Sequence, residues 1–201
     1  MRGVTIAIWL LLPFAAAAYH YGPGQERLVL DRAEARFDEA ARQARAGEHA
    51  QAVESWEAGL QELGALPATP ERVAAARRAR LERSKSGLLA RTGLLPAVRE
   101  ELLGLLEEVQ ADPSVERGFV DEVRGAAAQA QFYYTWLLKL EGKPREAWEP
   151  EVEAARQHYS LLAEAATDPL EKQRHQADLE AAVRLQLLDP EELQGIAIPD
   201  Q

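Results

Sequence analysis

At 201 residues the chain is long enough for one sizeable hydrophobic core. A formal net charge of −10 argues against general nucleic-acid binding. Cysteine is absent, which excludes a disulfide framework, a thiol nucleophile and a cysteine metal site. Ala, Leu, Glu, Arg and Gln dominate, and no stretch alternates apolar with polar residues, so the expected fold class is all-α.

Met1 to Tyr21 differs from everything after it. Arg2 is its only charge, and Val4 to Ala18 is an apolar run of 15 residues before Tyr19, Tyr21 and the Gly22-Pro23-Gly24 break. One basic residue ahead of such a run places the N-terminus in the cytoplasm and the remainder across a membrane. Two readings stay open. The segment is either an uncleaved anchor in contact with the membrane through residues 4–21, or a signal peptide cut after Ala15-x-Ala17 or Ala16-x-Ala18. The first gives a single-pass protein of a bacterial inner membrane with its C-terminal domain on the periplasmic side. The second gives a periplasmic or secreted protein. Residues 1–24 therefore form the anchor or signal peptide, 25–195 a helical domain, and 196–201 a tail.

The helical elements follow in order. Gln25 to Ala46 carries a modest apolar stripe and stops at Gly47. Ala50 to Leu63 places Val53, Trp56 and Leu60 on one face. After the turn-rich GALPATP segment, Pro70 opens a helix reaching about Thr92 and ending at Gly93. Pro96 to Gln110 follows, then Asp112-Pro113 as cap and first-turn proline. The strongest helix signal, Ala126 to Glu141, ends at Gly142. A further helix runs from about Pro150 to Ala166. Thr167-Asp168-Pro169 starts a last long one to Leu188, and Asp189-Pro190 starts a short one.

The phrase helix–Gly–turn–helix thus occurs at Gly47, Gly93 and Gly142. After Gly47 come Ala52, Trp56 and Gly59, five, nine and twelve residues on. After Gly93 come Val98, Leu102 and Leu105 at the same offsets. Seven residues before each glycine stand the small residues Ala40, Ser86 and Thr135. With these residues the chain resembles the tetratricopeptide-repeat (TPR) family over roughly Leu28 to Ala166. The resemblance implies a TPR-like α-solenoid of about three antiparallel helix pairs plus a C-terminal capping helix, preceded here by the N-terminal apolar helix. Departures are visible. The glycines are 46 and 49 residues apart against a family period of about 34, the third pair carries extra residues from Arg145 to Val152, and Glu39 and Lys85 stand where the family has Leu.

The sequence contains no HExxH, phosphate loop or GxSxG turn, and its four histidines are scattered. A non-enzymatic role without cofactor or metal is expected. Two features stand out. Between Glu71 and Arg99 eight basic residues face two acids, and Phe132, Tyr133, Tyr134, Trp136 and Trp148 gather around Gly142. In the TPR family the first helix of each pair lines a concave groove. Carrying the family's offsets over gives Phe37 with neighbouring Arg45, then Arg80 and Arg83 with Arg91, then Phe132, Trp136 and Lys139. Such a groove would take an acidic or amphipathic peptide segment of a partner protein. The expected function is a docking or scaffold domain tethered to, or exported across, the membrane. The alternative is a structural subunit of an envelope complex that assembles through its convex face.

Overall fold

A computed structural model describes residues 23–90, 93–189 and 192. The apolar N-terminal segment, Arg91 and the C-terminal tail lie outside the described residues. Among the described residues there are seven α-helices and no strand. They are α1 (Pro23–Arg45), α2 (His49–Gly64), α3 (Pro70–Leu89), α4 (Leu95–Ala111), α5 (Arg117–Leu140), α6 (Arg145–Ala165) and α7 (Pro169–Leu187). None of these is long and apolar enough to cross a membrane. The chain divides into two compact units, one up to Arg83 and one from Ser84, so that the border falls inside α3.

In the first unit α1 and α2 form a helix pair. Gly47 adopts φ +78°. That left-handed conformation lets the amide of Gly47 donate to the Ala44 carbonyl and that of Glu48 to the Gln43 carbonyl, closing off the end of α1. The small residues then do what their spacing implies. Ala40 and Ala52 are fully buried, and Phe37 lies across Gly59 with its ring centroid 5.5 Å from that of Trp56. Ala79 of α3 completes this cluster. Arg72 bonds Glu26 at 3.0 Å and so ties α3 to α1.

In the second unit the helices pack chiefly on their neighbours in the chain, α4 on α5, α5 on α6, α6 on α7. This organisation is compatible with a helical-repeat protein. Four alanines of α5, Ala126, Ala127, Ala128 and Ala130, are buried and allow close approach of the flanking helices. Phe132, Val152, Tyr159 and Leu162 fill the core together with Ala181, Ala182 and Leu185 of α7. Each such large apolar side chain contributes about 1.5–3 kcal/mol on burial. Arg99 of α4 grips the Glu151 carboxylate of α6 with two donors, while its guanidinium lies 5.3 Å from the Tyr134 ring centre of α5. One side chain thereby links three helices. Gly142, at φ +66°, repeats the turn at Gly47: Gly142 donates to Lys139 and Lys143 to Leu138.

Three expectations are corrected. First, α3 ends at Leu89, four residues before Gly93, so Gly93 does not stop it. Second, α6 begins at Arg145, and Pro150 sits inside it. There the proline removes one intrahelical bond, and Arg145 pairs with Glu149 on the surface of the same turn. Third, Asp112 is not an N-cap. It ends α4, and its carboxylate accepts from the Ser114 amide and hydroxyl in a local turn. Asp168 does cap α7, accepting from the Leu170 amide at 2.9 Å.

Candidate functional site

A cavity of about 770 Å³ opens in the second unit. Four helices line it. From the last turns of α3 come Lys85 and Leu89, and from α5 come Gly118, Asp121, Glu122, Gly125 and Gln129. The first half of α7 contributes Glu171, Arg174, His175 and Asp178, and the end of α6 supplies Tyr159 and Leu162.

Helix α7 packs chiefly on α6 and touches α5 only lightly. Lys139, near the C-terminus of α5, is buried and donates to the carbonyls of Leu185 and Leu188, both at 2.6 Å. These are the terminal carbonyls of α7, which have no partners within their own helix. The Lys139 ammonium also lies 4.3 Å from the Trp148 ring centre. Burial lowers the pKa of Lys139 from the usual lysine range, with Asp189 opposing that shift. Towards the other end of the two helices, Gly118 and Gly125 present no side chain. A methyl at Gly125 would touch only Leu162, at 3.8 Å, so the glycine leaves free volume rather than relieving a clash.

Glycines 118 and 125, Gln129 and Trp136 fall at i, i+7, i+11 and i+18, which is one line along α5. Trp136 is 39% exposed on that line, beyond the cavity, with exposed Leu140 a turn further. Trp136 is thus an exposed aromatic outside the lining of the cavity. Phe132 and Lys139 do not line an open surface: both turn about 40–60° around α5 from this line and are covered by α7. Phe37 is half-buried on Gly59, between α1 and α2, and Arg45 is exposed at the end of α1. Arg80 and Arg83 are half-buried, belong to the first unit and have interaction partners.

The error at α3 has a simple origin. Both α1 and α5 end two residues before their glycine, but α3 ends four before Gly93. Counting from the helix end instead moves every offset by two residues, or about 200° around the helix. The position six before the glycine then becomes Lys85, which lines the cavity. Residues of α7 escaped the sequence reading altogether, because offsets from a repeat say nothing about the helix after the last repeat.

The charges differ in depth. Arg117 is 81% exposed at the side chain, whereas Asp178 is 10% exposed. Lys85 bonds Glu122 at 2.6 Å, and Asp121 is held by Arg124 with Arg117 at 3.7 Å. The Tyr159 hydroxyl is buried with no hydrogen-bond partner, and so is Nδ1 of His175, which lies 3.9 Å from the Asp178 carboxylate. Burial, then Asp178 and Tyr133, push the Tyr159 phenol well above its usual pKa, and burial lowers that of His175.

Over the described residues the protein is all-helical, with a cavity lined by α3, α5, α6 and α7. No protein-family model, no curated protein and no solved structure matches the chain.

Proposed function

We propose that this chain is a TPR-like docking protein that receives a segment of another polypeptide in the groove between α3, α5 and α7. The observation that carries the reading is the cavity itself, within the size range of ligand sites and lined by four helices. Further support comes from the first pair. The residues at the family's small-residue positions, Ala40, Ala52 and Gly59, are all buried at the α1–α2 contact. The apolar run at Val4–Ala18 motivates the second half of the proposal, that the domain is anchored to or exported across a bacterial inner membrane. The proposed role is docking rather than catalysis.

The test is site-specific photocrosslinking in cells. A benzophenone side chain at Gln129, inside the groove, is compared with one at Glu107, exposed on α4. Docking in the groove gives a partner crosslink from Gln129 and none from Glu107. A crosslink from Glu107 alone favours lateral assembly through the outer surface, and crosslinks from neither position reject docking.

A further inference from the structure

The groove has a polar inner end that its own residues leave unsatisfied. Tyr159 is 3% exposed, yet its hydroxyl has no partner. A buried hydroxyl left unbonded is destabilising, so such groups normally find a donor or an acceptor. Nδ1 of His175 is in the same condition. Both side chains line the cavity, together with the buried carboxylate of Asp178. Asp178 is already engaged, but a carboxylate offers about four lone-pair sites and can accept again.

The sign of the missing group follows from where the charges sit. Carboxylates reach the cavity from two helices: Asp121 and Glu122 on α5, Glu171 and Asp178 on α7. The cations that face it are Lys85, occupied with Glu122, and Arg117 and Arg174, both exposed. Asp178 is the most deeply buried of these charges, at 10% side-chain exposure, while Arg117, Arg174 and Glu171 lie at the rim. An acidic ligand would meet Asp178 at the bottom, which is repulsive and poorly screened away from water. A guanidinium or ammonium reverses that sign and brings forked or multiple donors to Asp178 and to the phenol oxygen.

We propose that the inner end of the groove, around Tyr159 and Asp178, is a subsite for an arginine or lysine side chain of the docked segment. This rests on the docking reading above and reverses the acidic partner expected from the basic stretch between Glu71 and Arg99. That stretch is committed elsewhere: Arg72 to Glu26, Lys85 to Glu122 and Arg99 to Glu151.

Phage-displayed random nonapeptides selected on the immobilised full-length protein test the subsite. The selected peptides are expected to share one Arg or Lys position. Replacing that Arg by its neutral isostere citrulline should weaken binding roughly tenfold or more, as measured by fluorescence polarisation. Asp178→Asn should abolish the difference between the two peptides, and Tyr159→Phe should reduce it. A consensus without a basic position, or with an acidic one, overturns the subsite while leaving groove docking intact. A basic consensus whose binding ignores both variants overturns its location. Failure to select any peptide overturns docking and the subsite together. Should Asp178→Asn not fold, by circular dichroism, Tyr159→Phe and the citrulline comparison on the wild-type protein decide the matter.

Discussion

A methyl group has opposite consequences at two glycines of this chain. At Gly59 it would lie 2.4 Å from Cε1 of Phe37, a ring fixed between α1 and α2 beside Trp56. At Gly104, exposed within α4, it would meet nothing within 4 Å. Gly59→Ala should therefore destabilise by about 1–3 kcal/mol, the usual cost of overpacking, and lower Tm by roughly 2–10 °C. Gly104→Ala should raise stability by about 0.5–1 kcal/mol through helix propensity alone. Thermal melts of the two variants check the pair, and equal shifts would refute the packing at Gly59. Residues of this kind were legible in the sequence, because small residues at helical spacing betray a crossing whatever the partner. Ala40 and Thr135 are buried, as their offsets implied, and in α3, where the count shifts by two, Ser84 is buried along with Ser86. Surface residues such as Arg80 were not, since an error of two positions turns a side chain to the far side of its helix and only a helix end can fix the count.

At the level of the elements, the helix count and most boundaries could be read, because proline, glycine and Asp-Pro mark them. Pro150 misled: proline is favoured in a first turn, but here it stands a turn later, inside α6, where it costs one intrahelical bond. Nothing in the sequence indicated that Lys139 closes the end of α7, since the two lie about 46 residues apart and the contact is tertiary. That contact makes a prediction. Lys139→Met keeps the stem but removes the donor, leaving the carbonyls of Leu185 and Leu188 unpaired. Amide hydrogen exchange in the last turn of α7 should accelerate while α5 and α6 stay protected. Lys143→Met, at an exposed residue that pairs with Glu141 at 3.5 Å, should leave exchange unchanged. Melting temperature is the weaker readout here, because removing a buried ammonium also removes its desolvation cost. Unaltered exchange in α7 would show that the contact does not hold the helix.

For the whole molecule, the N-terminal run makes the prediction. Arg2 followed by Val4–Ala18 implies that the full-length protein fractionates with membranes and that its helical part is cut by protease added outside intact spheroplasts. Protection of that part would reverse the proposed orientation, and recovery in the soluble periplasmic fraction would identify a cleaved signal peptide. The seating of α7 has a mechanical corollary. With 19 residues, α7 is about 28 Å long, so a tilt of about 5° about its C-terminal end displaces the other end by roughly 2 Å. Because α7 rests on α6 through Ala181, Ala182 and Leu185, the aperture of the cavity is set in that shared core, and substitutions there would widen or narrow an opening they do not line.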